Sequence, residues 1–270
     1  IIKMNDEIGS HAANKVKLTL NIASIGVLLA GMGIGMVTLA AAAGIWLGLW
    51  DFRRGFDLLR ISNNYGDIIA WIGLFGTIAI VVAARLFDTG NAVRLGGLAA
   101  IGTLTAFVAY SIPESFRPAE GINYPPIHDI STDLNAPPEF VEVLPLRADA
   151  ANTVIYGGSN NMTPERLAQL TAEAYPDLVP QHYDASVDEI FDRALAAVDR
   201  LGWELVSATR SAGRIEATDT TLWFRFKDDI VIIIAAAGNQ TLVNARSVSR
   251  VGTGDVGANA IRLRAFFGLL

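Results

Sequence analysis

The stretch LTLNIASIGVLLAGMGIGMVTLAAAAGIWLGLW, residues 18–50, runs for 33 residues without a charged side chain. As one helix rising about 1.5 Å per residue it would reach about 50 Å, against a hydrocarbon core of about 30 Å. That is too short for two crossings and a turn, so the stretch predicts a single long or tilted membrane helix. Its first part, around Thr19, Asn21 and Ser24, is expected in the interface or against a partner. Gly31 and Gly35 form a G-x-x-x-G, overlapped by Gly26, Ala30 and Gly33. Such a face lets helix backbones approach closely, although glycine is also simply common in membrane helices. Trp46 and Trp50 close the run as an interfacial aromatic belt would.

Working outward, Asp51–Asp67 reads as a loop carrying Arg53, Arg54 and Arg60. A second apolar run, about 68–84, lies between Asp67 and Arg85, and a third, about 95–112, ends at Pro113 and Glu114. The turn Asp88-Thr89-Gly90-Asn91 separates them. Three crossings place the two ends of the chain on opposite sides. Lys3, Lys15, Lys17, Arg85 and Arg94 fall on one side, and Arg53, Arg54, Arg60 and Arg117 on the other. The excess of cations on the first side points to a cytoplasmic N-terminus and an exported C-terminal domain. The expected setting is a bacterial inner membrane with the soluble part on its periplasmic side. The chain opens Ile1-Ile2-Lys3-Met4, so the start is expected to be processed or trimmed, or else Met4 is the natural start. The first apolar run is too long for a cleaved signal peptide.

Charged residues make up 18% of the chain, below the roughly 25% of soluble domains. The deficit is local. Residues 1–117 hold nine Lys and Arg against seven Asp and Glu, whereas residues 118–270 hold 12 against 20. The acidic balance of the second part repels phosphate backbones, so nucleic acid is not an expected partner. The chain has no cysteine, which removes disulfides, thiolate metal sites and thiol nucleophiles. The organisation read from this is an N-terminal segment 1–17, a membrane domain 18–116 and a soluble α+β domain 117–270.

In the soluble part, Tyr124-Pro125-Pro126-Ile127-His128-Asp129-Ile130-Ser131-Thr132-Asp133 follows a short connector, and Pro137-Pro138 comes soon after. The proline pairs favour extended chain, and Leu134–Asn161 reads as irregular surface wrapping. Thr163-Pro164-Glu165 is an N-cap, an N1 proline and a first-turn acid, predicting a helix to about Tyr175. Ser186-Val187-Asp188-Glu189 is a capping box ahead of Ile190, Phe191, Ala194, Leu195, Val198 and Leu201 at helical spacing, with Gly202 beyond. Strands are predicted at 203–210, 214–219, 220–226, 230–237 and 241–249, with turns at Ser211-Ala212-Gly213, Lys227-Asp228-Asp229 and Gly238-Asn239-Gln240. The fully apolar 230–237 run suits a central strand covered on both faces. A last helix, about Val256 to Leu269, starts after Asp255 as N-cap. The fold class is therefore three transmembrane helices followed by an antiparallel sheet of four or five strands packed with two or three helices.

The proline segment 125–133 with Pro137-Pro138, then Tyr175-Pro176-Asp177-Leu178, Gly202-Trp203-Glu204, 216–221 and Phe226-Lys227-Asp228-Asp229, resembles the family known as domain of unknown function 1499. So do Arg246-Ser247-Val248-Ser249-Arg250-Val251-Gly252 and Asp255, Gly257, Ala258 and Asn259. The resemblance covers about 124–270. Bacterial members with membrane helices ahead of the domain look similar around Gly48-Leu49-Trp50 and Gly55-Phe56. Ile233 stands where the family strand implies Arg. The resemblance implies a fold and a membrane-attached context, and no activity.

Candidate sites follow from polar residues in those segments: His128, Asp129, Asp133, Asp228, Asp229, Arg246, Arg250, Asp255 and Asn259. His128 and Asp129 suggest acid–base or metal chemistry, but neighbours in extended chain point to opposite sides, which argues against a dyad. Asp129, Ser131 and Asp133 have the start of a calcium-loop spacing, yet Leu134 and Phe140 occupy the positions of the turn glycine and the bidentate glutamate. Glu216, Asp219, Asp228, Asp229 and Asp255 balance Arg225, Arg246 and Arg250, as in a buried Arg–Asp network that locks loops. The alternative is an anion pocket built from Arg246, Arg250 and the amides near Gly257. No nucleophile elbow, P-loop or zincin motif occurs, and neither a cofactor nor a metal is implied.

The leading expectation is a non-catalytic accessory or assembly subunit of a larger membrane complex, such as a respiratory or photosynthetic one, contacting lipid and other integral subunits. A membrane-surface ligand-binding or enzymatic domain is the alternative. A structural anchor or lipid-handling protein is not separable from the first by sequence.

Overall fold

The computed structural model describes residues 2–118, 121–159 and 161–270, with side chains described from residue 11 onward except residue 12. Lys3 and Met4 thus lie outside the described side chains, and part of the connector Arg117–Tyr124 lies outside the described residues. The chain divides into two compact units, Ile1–Arg117 and Pro118–Leu270.

The first unit is three helices, α1 (Ile2–Trp46), α2 (Phe52–Leu86) and α3 (Ala92–Ser115). All three contain segments long and apolar enough to cross a membrane, the first being Ala13–Trp46. Segment 1–17 is helical from Ile2 and continuous with the first span. One expectation changes here. Asp51–Asp67 is not a loop: Asp51 caps α2, its carboxylate accepting from the Arg54 amide at 3.2 Å, and the helix begins at Phe52. A cap followed by good helix formers outweighs the polar composition that suggested a loop.

Small residues set how α1 meets α3. A Cβ at Gly31 would overlap the Gly102 carbonyl oxygen, and one at Gly35 would lie 2.6 Å from Thr105 Cγ2. Only hydrogen fits at Gly31, and the backbones touch there. Gly26 and Gly33 face no described neighbour. Hydroxyls bridge the helices: Ser24 Oγ donates to the Leu95 carbonyl at 2.7 Å, and Thr38 and Ser62 hydroxyls meet at 2.7 Å.

The second unit is a six-stranded antiparallel sheet with three helices. In chain order come β1 (Asp129–Ser131), α4 (Pro164–Ala174), β2 (Gln181–Tyr183), α5 (Val187–Arg200), β3 (Glu204–Thr209), β4 (Arg214–Thr220), β5 (Lys227–Ala237), β6 (Gln240–Ser249) and α6 (Ala258–Phe267). The spatial order is β1-β6-β5-β4-β3, and β2 also pairs with β6. β1 covers Arg246 to Val248 and β2 covers Thr241 to Val243, so the two short strands lie along the same edge of β6. They raise the expected four or five strands to six; three residues carry too little alternation to announce a strand.

The caps behave as their sequence suggests, with two changes. Thr163 and Ser186 side chains accept from the amides of Arg166 and Glu189, each at 3.2 Å. The Glu189 carboxylate, however, pairs with Arg193. Asp255 accepts from the Gly257 and Asn259 amides at 2.9 Å, but α6 starts later than expected, at Ala258.

Of the expected strand 220–226, Thr220 ends β4 and 221–226 is a loop. Thr221 N–H donates to the Phe226 carbonyl at 2.8 Å, Thr221 Oγ1 accepts from the Phe226 amide at 2.9 Å, and Arg225 has φ 54°. The alternating Leu222, Phe224 and Phe226 mimicked a strand face, whereas the Phe224 and Phe226 rings stack on each other 5.4 Å apart. Lys227-Asp228-Asp229, expected as a turn, opens β5, pairing with Thr220, Asp219 and Thr218.

β5 is central and covered on both faces. Ile230, Ile232 and Ile234 pack with Ile190, Phe191, Ala194 and Leu263 from the helices. Val231 packs with Phe140, Val143 and Val248, and Ile233 joins that cluster. Ile233 thus fills with methyl groups a position where the family resemblance implied a charge. The second cluster is roofed by Phe140, Val143 and Val154 from the segment 134–159, which holds one short 3-10 helix, Leu144–Arg147, and acts as a strap over one face of the sheet.

Candidate functional site

Alternation along β4, β5 and β6 sends neighbouring residues to opposite faces, so Asp228 and Asp229 end in different environments. The same rule separates His128 from Asp129.

On the strap face, Arg246 is 2% exposed and grips Asp129 with two bonds, Nε–Oδ1 at 2.8 Å and Nη2–Oδ2 at 2.7 Å. Its Nη1 donates to the Pro138 carbonyl at 3.0 Å and its Nη2 to the Val154 carbonyl at 2.7 Å. The guanidinium also lies 5.4 Å from the Phe140 ring centre and 5.3 Å from that of Tyr156. One strand thereby fastens both ends of the strap through one cation. Beside it, Asp229 receives Arg250 through two bonds, at 2.9 and 2.8 Å, and also Arg147 from the strap. Arg250 Nη1 reaches the Leu146 carbonyl at 2.6 Å. Glu216 is fully buried and accepts the amides of Val141 and Val143, each at 2.8 Å. Burial pulls the Arg147 pKa below its ordinary value, against the opposing pull of Asp229. Asp133 accepts from the amides of Asn135 and Ala136 and so holds the turn that enters the strap.

On the helix face, Arg262 of α6 joins Asp219 at 2.8 Å and Asp228 at 2.7 Å. Its Nη1 donates to Asn259 Oδ1 at 2.8 Å, and Asn259 Nδ2 donates to the His128 carbonyl at 3.1 Å and Ser249 Oγ at 2.9 Å. Burial raises the Asp255 pKa; the Asn259 and Gly257 amides oppose the rise and Asp228 adds to it. His128 is 5% exposed, and its Nδ1 has no hydrogen-bond partner. His128 lines a small cavity of about 20 Å³, room for about one water, with Ile127, Ile155, Gly157, Ser159 and Met162. Burial also pushes the Tyr156 and Tyr175 phenols up to about 12.

The nine candidate residues therefore fall into two groups divided by the sheet. Asp129, Asp229, Arg246 and Arg250 meet under the strap, with Asp133 at its entry; Asp228, Asp255, Asn259 and His128 gather at the start of α6. The guanidinium donors of Arg246 and Arg250 and the amide at Gly257 are committed to acceptors within the fold, which leaves the anion pocket without its donors. Arg147 and Arg262 were not singled out in sequence. The paired Asp228-Asp229 is the signal that could have found them, because each acid in a covered strand requires a cation on its own face.

A family model described as "Protein of unknown function (DUF1499)" matches residues 129–270. The chain belongs to the DUF1499 family. No curated protein matches it. The DUF1499 match begins at Asp129, the acid held by Arg246, and takes in all six strands and the strap. The three apolar helices lie outside the DUF1499 match, so the family defines the sheet and its charge network but not the membrane unit.

Proposed function

We propose that this DUF1499 chain is a non-catalytic accessory subunit of a larger membrane complex, contacting lipid and other integral subunits, in which the helices anchor and the DUF1499 domain serves as a rigid binding body. The observation that carries the reading is the closure of the charge network: its arginine donors and carboxylates are satisfied by one another and by strap carbonyls and amides. Chemistry on a substrate needs a group held ready for it. The 45-residue α1 adds support, because at about 1.5 Å per residue it exceeds a hydrocarbon core of about 30 Å and leaves surface for a neighbour. Purification from native membranes in mild detergent tests it. Co-migration with other integral proteins is expected, and migration alone at monomer mass would count against it. The orientation proposed is a cytoplasmic N-terminus with the DUF1499 domain on the periplasmic side of a bacterial inner membrane. Since the chain has no cysteine, single replacements Val93→Cys and Ala172→Cys in intact cells read it directly: an impermeant thiol reagent should label the second and spare the first.

A second reading, a small-ligand site, has His128 behind it: a buried imidazole nitrogen without a partner beside a cavity is unusual. Native mass spectrometry of the purified chain should then show a small adduct that His128→Leu loses. A clean parent mass would remove this reading.

A further inference from the structure

We propose that the turn between α2 and α3 binds the phosphate of an acidic phospholipid. The proposal rests on the membrane-spanning reading of the first unit and goes beyond it in naming a site and a ligand.

Arg85 directly follows the apolar run 68–84, and Arg94 directly precedes the run 95–112, so both stand at the edge of the hydrocarbon layer, where lipid phosphates lie. The two arginines border an open groove that is also lined by Ala84, Asn91 and Val93. Val93 is 85% exposed and Leu86 is 77% exposed, which supplies apolar surface for acyl chain beside the cations. α1 brings two more cations to this end. Ser24 is bonded to the Leu95 carbonyl, and Leu20 packs against the cluster containing Ala84 and Leu95. Lys17 and Lys15 therefore project about 5 and 8 Å beyond Leu20, at about 1.5 Å per residue.

Pairing separates this end from the other. Among the described residues, Lys15, Lys17, Arg85 and Arg94 are all exposed and none makes an ion pair. At the opposite end, Arg53, Arg60 and Arg117 lie 3.4, 3.2 and 3.1 Å from Asp51, Asp57 and Glu114, and Arg54 has no such partner. One carboxylate, Asp88, also borders the groove and opposes an anion. The α3 N-terminus adds a smaller pull: Asn91 makes no side-chain cap bond to the first amides of α3, which start beside the same turn. Two unpaired guanidinium groups at headgroup depth, next to exposed apolar side chains, match a lipid phosphate with its attached chains.

The test is native mass spectrometry of the full chain titrated with phosphatidylglycerol and with phosphatidylcholine. Phosphatidylglycerol is expected to bind with a preference of roughly tenfold or more, two surface cations contributing. The double variant Arg85→Gln/Arg94→Gln should lose that preference, Arg53→Gln/Arg54→Gln should keep it, and Asp88→Asn should increase it. In the unaltered chain the preference should shrink as salt rises, a measurement that needs no variant. Equal binding of the two lipids, a preference kept by the turn variant, or displacement of the lipid by inorganic phosphate at millimolar concentration would overturn the proposal. Alkaline washing of membranes separates the two failures. A chain that stays in the pellet but prefers neither lipid loses only this site, and a chain released into the wash loses the membrane reading as well.

Discussion

At the scale of single residues, the second unit depends on a few buried charges whose partners lie far away in sequence. Arg246 and Asp129 are 117 positions apart and meet through two bonds under the strap. Replacing Arg246 by Ala leaves the Asp129 carboxylate buried without its cation, and an unfolding experiment should show a loss of about 3–5 kcal/mol. The double change Arg246→Met with Asp129→Leu should cost less than the single one, since no isolated charge remains. Glu216→Ala strands the buried amide of Val143, at about 1–3 kcal/mol, and frees the part-buried amide of Val141 at a smaller cost, and strap protection in hydrogen exchange should fall with it. Asp255 sets a pH dependence of opposite sign to the usual carboxylate. Its folded pKa lies above the ordinary 3.8, so the folded state holds that proton more tightly than the unfolded chain does. Its contribution to stability therefore falls as pH rises from the ordinary value through the folded one. The melting temperature of Asp255→Asn relative to the parent should rise across that window and level off above it.

At the scale of elements, what was legible in the sequence was what is encoded locally. Thr163 and Ser186 announce α4 and α5 because a cap is settled within three residues. The uncharged runs announce the spans for the same reason. Residues 221–226 failed because alternation describes a strand only when a neighbouring strand lies beside it, and here a Thr221 hydroxyl turned the chain instead. β1 and β2 escaped notice because their existence depends on β6, more than 50 positions away. The charge network was half visible: the acids and two arginines stood out by type, but Arg147 and Arg262 are identified only by the faces they reach. Element packing gives its own prediction. Gly31→Leu drives a side chain into the Gly102 carbonyl, and α1 must separate from α3. Thermal melting in detergent should show the helical unit weakened, while Gly33→Leu, with no described neighbour, should leave it unchanged.

At the scale of the whole molecule, two compact units with separate cores predict two separable responses to mutation. Gly31→Leu should lower one thermal transition and Arg246→Ala the other, and the double variant should show both shifts at their single-variant sizes. One loss that was merely the sum in a single shared transition would mean the units melt together. The sheet carries a last consequence. β1 and β2 close the outer side of β6, whereas β3, at the far rim, has no strand beside it among the described residues. The opposite rim is made of β1 and β2, three residues each, so β3 is the one rim strand long enough among the described residues to zip to a neighbour. Any backbone-to-backbone association of this domain should stop at a two-fold pair rather than polymerise. The irregular register between Leu205 and Ser207 makes even that first zipper a poor one.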